Sequence, residues 1–174
     1  MHVLVCVASR HGATAEIGEA IARQLGHHGL AASFRPPEDV SSLDGVDAVV
    51  LGSAVYAGHW LEPAVRFADR HADGLRRRPV WLFSSGPVGD PRRALVRRMD
   101  ADPVELAHLR SITGARAHRR FPGRLDPANL PAAQRLALRL VPGLAGDFRD
   151  WVAARAWADG IAAELGAAGR AAAG

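Results

Sequence analysis

Short apolar runs alternate with stretches of helical periodicity along most of this chain. Residues 3–8, 47–52 and 79–83 are apolar enough to predict buried strands, and weaker strand signals lie at 31–35 and 115–121. Strands of this kind, separated by helices, are typical of a parallel sheet with a helical layer on each face. The pattern therefore predicts an α/β fold.

The segments between the strands carry apolar residues three and four positions apart, as helices do. Helices are predicted at residues 14–25, 61–71 and 102–109, and from Asp147 or Asp150 to Leu165. A doubly wound, five-stranded parallel sheet in the order 2-1-3-4-5, with helices on both faces, accounts for all of these elements.

One domain is predicted over residues 1–166, because a chain of 174 residues is long enough to build a single substantial core. Residues 126–144 are surplus to the five-strand scheme and predict an inserted basic-apolar helix. Residues 167–174 offer little apolar bulk to pack, which predicts a flexible tail.

The first strand runs directly into a short polar loop and then a helix. The loop residues are Ser9, Arg10, His11, Gly12, Ala13 and Thr14. Unpaired N–H groups and the positive end of the helix dipole favour an anion there, and the two hydroxyls can complete the site. Neither Gly-x-x-x-x-Gly-Lys nor Gly-x-Gly-x-x-Gly occurs, which disfavours nucleoside triphosphate and classical dinucleotide binding. An ordinary strand-to-helix turn is the alternative.

Two further loops are expected at the same sheet edge, because ligands of doubly wound sheets lie where the strand order reverses. The loop after strand three contributes Ser53, Ala54, Val55, Tyr56, Ala57 and Gly58, and the loop after strand four contributes Ser84, Ser85, Gly86, Pro87 and Gly89. Tyr56 or Trp60 can supply a plate for a planar ring, with burial in the core as the alternative for Trp60. His59 is either a proton donor or a surface residue.

Composition narrows the classes of function. A hydrophobic content of 48% and a charged content of 23% are typical of a globular protein. The single cysteine, Cys6, lies in an apolar strand, which predicts core packing and fits a reducing cytoplasm. No metal site is predicted, since neither Cys-x-x-Cys nor His-Glu-x-x-His occurs. No apolar run is long enough to span a membrane.

Charge is distributed unevenly, and all 22 basic residues are arginines. Residues 1–75 hold five arginines and nine acidic residues, whereas residues 76–174 hold 17 and nine, so the two parts carry −4 and +8. Such a cationic region favours anionic partners, with a solvated arginine-rich surface as the alternative. Nucleic acid is not expected, because the basic runs lack interleaved aromatic residues.

The phosphate-binding pattern and the loops beside it resemble those of flavodoxins. The matching residues include Ser9, Gly12 and Thr14, whereas Val7 replaces an aromatic residue and Gly18 replaces alanine, both at positions of helix packing. The resemblance implies a flavodoxin-like fold with FMN as the cofactor. It places the FMN phosphate on the first loop and the flavin ring between the other two.

A narrower resemblance is to the flavodoxin-fold, menaquinone-dependent protoporphyrinogen oxidases. The chain is similar to them in Gly-x-Leu-Asp at 123–126, in a basic-apolar segment at 134–141 and in the Asp-Trp pair at 150–151. The resemblance implies an FMN-dependent oxidoreductase with a quinone or porphyrin-like anionic substrate. Arg135 and Arg139 lie one turn apart in the inserted helix, which predicts contact with an anionic membrane surface or, alternatively, a helix that covers the core.

Two other roles fit the same fold. Flavodoxin electron shuttles are acidic and dock on basic partners, and the positive net charge of this chain disfavours that use. An interaction module that has kept the fold and lost the flavin is the other alternative, because fold alone does not determine function.

Overall fold

The computed structural model describes residues 1–86, 101–126 and 146–172. Its strands are β1 His2–Ala8, β2 Ala31–Arg35, β3 Ala48–Tyr56, β4 His59–Trp60, β5 Val80–Ser85, β6 Ala117–Phe121, β7 Arg124–Leu125 and β8 Gly146–Asp147. Its helices are α1 Ala13–His27, a short 3-10 helix at Pro37–Asp39, α2 Glu62–Arg70, α3 Ala72–Arg76, α4 Leu106–Thr113 and α5 Trp151–Ala172.

Five strands form a parallel sheet in the order β2-β1-β3-β5-β6. The predicted order 2-1-3-4-5 of a doubly wound sheet is therefore confirmed. The direction of winding reverses between β1 and β3, which pair from Val3 opposite Ala48 to Ala8 opposite Ser53. The carboxyl ends of these two strands consequently border the crevice where such sheets bind ligands.

The sheet separates two apolar cores, because successive side chains of a strand point to opposite faces. One core lies under α1 and α5 and includes Trp81, Phe83 and Phe121, all at most 1% exposed. The other lies under α2 and α4 and includes Leu51 and Phe67. Burial on both faces explains why the central strands are apolar along most of their length.

Gly18 allows α1 to pack closely on the sheet. A Cβ atom at Gly18 would lie 2.6 Å from Val7 Cγ2 and 3.0 Å from the ring of Phe34. The two departures from the flavodoxin pattern, at Val7 and Gly18, thus lie against each other, and their predicted role in helix packing is confirmed.

Two element boundaries correct the predictions. The strand predicted to end at residue 52 continues to Tyr56, because its end pairs with β4 in an antiparallel hairpin. The helix predicted to end at Leu165 continues to Ala172, into the segment predicted as a tail, since alanine has the highest helix propensity and no proline interrupts the run.

The helix predicted at 102–109 begins later, at Leu106, and ends at Thr113. Pro103 accounts for part of the shift, because a proline disfavours helical geometry in the residue before it, here Asp102. Residues 127–145, with Arg135 and Arg139 of the predicted inserted helix, lie outside the described residues, as do Pro87 and Gly89. Among the described residues, no helix is long and apolar enough to cross a membrane.

Candidate functional site

The first wall of the candidate site is the loop between β1 and α1. Gly12 is the N-cap residue of α1 and has φ 81°, a left-handed conformation that glycine adopts without strain. No side chain caps the helix, so the N–H groups of its first turn lack a side-chain acceptor and favour an anion. Ser9 and Ala13 are half-buried, Arg10 and His11 are exposed, and Thr14 is buried.

Tyr56, at the end of β3, lies beside this loop. The guanidinium carbon of Arg10 is 5.7 Å from the centre of the Tyr56 ring, and the His11 ring meets it edge-on with the centroids 6.4 Å apart. Tyr56 is 40% exposed. Burial raises the pKa of its phenol, and Arg10 partly offsets this. The structure thus brings Arg10 and His11 against the ring of Tyr56, and the phenol of Tyr56 keeps its proton at neutral pH.

Ala57 and Gly58 form the tip of the β3–β4 hairpin, with φ angles of 50° and 82°. A two-residue loop with both φ angles positive is the type I′ turn, which suits the twist of a hairpin. Trp60, on β4, is 4% exposed and belongs to a hydrophobic core. The alternative of core burial is therefore correct for Trp60, and Tyr56 is the aromatic residue that remains accessible at this hairpin.

The third wall begins at Gly86, directly after β5. Its φ angle is 136°, and its N–H donates to the carbonyl oxygen of Phe121 at 3.0 Å. A Cβ atom on Gly86 would lie 3.6 Å from Cβ of Val55. The start of the third loop therefore lies against the residue that precedes Tyr56, so all three sheet-edge segments converge.

Ser53 and Ala54 support the β3–β4 hairpin, the second wall of the site, from inside the protein. Ser53 is fully buried, and its hydroxyl donates to the carbonyl oxygen of Ala54 and accepts the N–H of Leu61, each at 2.9 Å. Their prediction as loop residues is corrected, because β3 extends past them. Through its bond with Leu61, the Ser53 hydroxyl fixes the backbone where the chain leaves the hairpin.

Ser84 also belongs to the interior, within β5. Its hydroxyl accepts the indole N–H of Trp60 at 2.8 Å and lies 2.8 Å from Nε2 of His118, to which it can donate. Burial lowers the pKa of His118 to about 4, nearby arginines act in the same direction, and Asp102 opposes them. Ser84 therefore joins a neutral network under the hairpin, in which Trp60 is buried and His118 half-buried, and Ser85 is buried next to it.

Glu105, which the sequence did not single out, fastens the hairpin. One carboxylate oxygen is 2.6 Å from Nδ1 of His59, and the other accepts the backbone N–H of Trp60 at 3.0 Å. The N–H of Val104 donates to the carbonyl oxygen of Gly58, also at 3.0 Å. Burial acts to raise the pKa of Glu105, but the hydrogen bonds from Trp60 and His59 outweigh it and the pKa is lowered. His59 thus pairs with a carboxylate.

A second missed group lies at the first turn of α1. The side chain of Arg149, only 5% exposed, bonds Asp147 through Nη2 at 2.6 Å and Nε at 2.8 Å, and Glu16 through Nη1 at 2.7 Å. Nη1 also lies 3.4 Å from the carbonyl oxygen of Ala13, and Arg124 approaches Glu16 at 3.7 Å. Hydrogen bonds from Arg149 lower the pKa of Asp147.

No local pattern marks these two supporting groups. Glu105 and His59 are 46 positions apart, and Arg149 and Glu16 are 133 positions apart. Only the crossing of strands and helices brings such residues together.

Cys6 is a core residue, as predicted. Burial raises the pKa of its thiol, and the charge of Glu38 acts in the same direction. Reactive cysteines instead have a lowered pKa and an exposed sulfur. In residues 1–86, 101–126 and 146–172, no group of three histidine, cysteine, aspartate or glutamate side chains is placed to hold a metal ion.

Comparisons with known proteins agree with this topology. A flavodoxin from Streptococcus pneumoniae TIGR4 is 18% identical and superposes with a TM-score of 0.61, over 94% of this chain and 99% of that one. A cysteine-to-serine mutant of flavodoxin from Pseudomonas aeruginosa is 15% identical, with a TM-score of 0.58, over 94% and 97% of the two chains. These likenesses establish the fold.

A larger redox protein contains the same fold. Rubredoxin oxygen:oxidoreductase from Desulfovibrio gigas is 14% identical and superposes with a TM-score of 0.60, over 95% of this chain but only 36% of the oxidoreductase. No curated protein sequence matches this chain significantly. A family model described as "Flavodoxin domain" matches residues 4–150. The chain therefore belongs to the flavodoxin domain family.

Proposed function

We propose that this chain binds FMN at the three converging walls and acts as an FMN-dependent oxidoreductase on a quinone or porphyrin-like anionic substrate. Flavodoxin domains bind FMN. The observation that carries the proposal is the contact of Arg10 and His11 with Tyr56, which puts an anion-binding helix start next to an exposed aromatic ring.

The chemistry of the donor groups fits FMN. The first turn of α1 has no side-chain cap, and its acidic residue, Glu16, is paired with Arg149. Ser9, Thr14 and the backbone N–H groups are therefore proposed to hold the phosphate. Tyr56 is proposed to cover the flavin ring, and the Gly86 region to face its polar edge. When bound, FMN supplies hydride or single-electron transfer, while the protein binds, orients and shields it.

The charge of the chain supports an anionic substrate and argues against the role of an acidic electron shuttle. The net charge is +4, and every basic side chain is an arginine. Arg10 lies at the candidate ring site, where a carboxylate of a substrate can pair with its guanidinium. Electrostatic steering by this charge would speed the arrival of anionic molecules and slow docking on basic redox partners.

The first experiment is a titration of apoprotein with FMN and with riboflavin, followed by flavin fluorescence. We expect quenching with both ligands and tighter binding of FMN, because only FMN carries the phosphate. Tyr56→Ala should weaken both ligands about tenfold, as expected for the loss of an aromatic stack. Val152→Ala, which shortens an exposed side chain on α5, is the matched control. Absence of FMN binding would reject the proposal.

The second experiment tests the substrate class. FMN-loaded protein is mixed with protoporphyrinogen and menaquinone together, and with each alone, and oxidation is followed by porphyrin fluorescence. We expect turnover only when both are present. Reduction of bound FMN by a flavodoxin reductase, without turnover of either substrate, would favour an electron carrier instead.

A further inference from the structure

Glu16 is an acidic residue in the first turn of α1, next to the proposed phosphate site. One of its carboxylate oxygens is 4.0 Å from where a Cβ atom would lie on Gly12, the N-cap residue. A carboxylate here interacts favourably with the helix dipole. For the same reason it competes with a bound phosphate, because two anions at one helix start repel each other.

Arg149 offsets this charge. Its guanidinium pairs with Glu16 at 2.7 Å and with Asp147 at 2.6 Å, and Arg124 lies 3.7 Å from Glu16. These two carboxylates and two guanidinium groups sum to no net charge beside the helix start. Without Arg149 the same group would carry one negative charge.

The position of Arg149 is fixed by its surroundings. Its side chain is 5% exposed, its guanidinium carbon lies 4.5 Å from the centre of the Trp151 ring, and Nη1 approaches the carbonyl oxygen of Ala13 at 3.4 Å. A planar guanidinium held by paired hydrogen bonds and ring stacking is rigid, unlike an exposed arginine. Arg149 therefore neutralises Glu16 before any ligand arrives.

We propose that Arg149 is a positioning residue that gives the helix start its preference for a phosphate-bearing flavin, by neutralising Glu16. The inference rests on the proposed function, since it assumes that the FMN phosphate binds at α1. Arg149 acts through Glu16 and needs no direct contact with the phosphate. Its effect should therefore appear in the ratio of FMN to riboflavin affinity.

The experiment measures dissociation constants of FMN and riboflavin at low ionic strength for the wild type and four variants. Arg149→Met should weaken FMN binding about tenfold, because it leaves one net negative charge near the phosphate. It should leave riboflavin binding unchanged. The double variant Arg149→Met with Glu16→Gln should recover most of the FMN affinity. Glu16→Gln alone should strengthen FMN, and added salt should shrink every one of these differences.

Glu19→Gln is the matched control, because Glu19 lies further along the same helix, away from its first turn, and pairs with Arg23 at 3.6 Å. It should leave both affinities unchanged. Equal losses of FMN and riboflavin in Arg149→Met, without recovery in the double variant, would show a purely structural role. If Arg149→Met does not fold, Glu16→Gln alone decides, and an unchanged FMN-to-riboflavin ratio overturns the inference.

Failure of the proposed function gives a different result. A wild-type protein that does not bind FMN, or does not prefer FMN over riboflavin, rejects the phosphate site itself and the role of Arg149 with it. A wild-type protein that prefers FMN by the same ratio as Arg149→Met rejects the role of Arg149 alone.

Discussion

The two ends of the candidate site are built in different ways. The phosphate-loop end, residues 9–14, joins β1 directly to α1, so its backbone N–H groups are placed by consecutive residues. The hairpin end, residues 56–60, depends on Glu105 and on the network of Ser84 and His118. One end is therefore a local motif surrounded by charges, and the other is a hairpin held by distant hydrogen bonds.

This difference predicts different sensitivities. The charges around Glu16 and Arg149 respond to ionic strength, because their partners are partly exposed. The hairpin depends instead on directed hydrogen bonds, of which the bond between Trp60 and Ser84 is buried, and the loss of a buried bond is costly because water does not replace its partner. Substitutions and pH can therefore disturb one end and spare the other.

The largest expected effect is a loss of stability in the sheet that supports both ends of the site. Gly52 lies in β3 between Val7 and Phe83, and a Cβ atom on it would be 2.2 Å from two ring carbons of Phe83. That ring is fully buried and packs edge-on against Phe121, so it cannot move aside. Gly52→Ala should lower the free energy of unfolding by about 3 kcal/mol, measured by chemical denaturation.

Gly26→Ala is the matched control for this substitution. Gly26 lies in α1, and no atom is within 4 Å of its added Cβ. Alanine there should raise the free energy of unfolding by about 0.5 kcal/mol through helix propensity. If Gly52→Ala were as stable as wild type, the inference that Gly52 packs tightly against the Phe83 ring would be wrong.

The second prediction separates the two ends by pH. The pKa of His118 is lowered to about 4 in the folded protein, against about 6.5 when unfolded. The unfolded chain therefore takes up a proton first as pH falls, and stability is lost between pH 6.5 and 4, by about 2 kcal/mol after allowance for solvent screening. Asp147 has a lowered pKa, so the stability it provides at the phosphate-loop end is complete above its unfolded pKa and is lost only under more acidic conditions.

Urea denaturation at a series of pH values measures this loss, and His118→Gln should remove most of it. His108→Gln is the control, because His108 is an exposed residue of α4 that pairs with Asp69. A wild-type stability that stays flat from pH 6.5 to 4 would contradict a neutral, half-buried His118 bonded to Ser84.

The local end was the more predictable from sequence. Ser9, Gly12 and Thr14 follow a strand and open a helix, and that order alone determines where their backbone groups lie. Strand order was also predictable, because apolar runs and helix spacing leave few topologies. The hairpin was predicted only as a loop, since nothing in residues 53–56 shows that they would pair with β4.

The supporting residues were missed for a physical reason. Glu105 and Arg149 belong to no motif, and each acquires its role by meeting a partner from another part of the chain. Burial of Ser53 and Ser84 likewise follows from the lengths of β3 and β5. Tertiary contacts decide whether such hydroxyls face a ligand or the core.

The smallest expected effect concerns the hairpin alone. Glu105→Ala leaves the N–H of Trp60 and the ring of His59 without their acceptor, which should cost about 1.5 kcal/mol of stability. Tyr56 is the only tyrosine in the chain, so ring-labelled tyrosine gives one NMR signal that reports on the hairpin. That signal should shift and broaden in apoprotein carrying Glu105→Ala.

Glu105→Gln keeps one oxygen acceptor and should recover about half of the lost stability. Glu62→Ala is the matched control, because Glu62 forms an exposed ion pair with Arg66 on α2 and such pairs contribute little. The ratio of FMN to riboflavin affinity should stay unchanged in Glu105→Ala, since the phosphate-loop end is intact. A loss confined to FMN would mean that the two ends are coupled, because a disturbed hairpin would then reach the phosphate loop through the contacts of Tyr56 with Arg10 and His11.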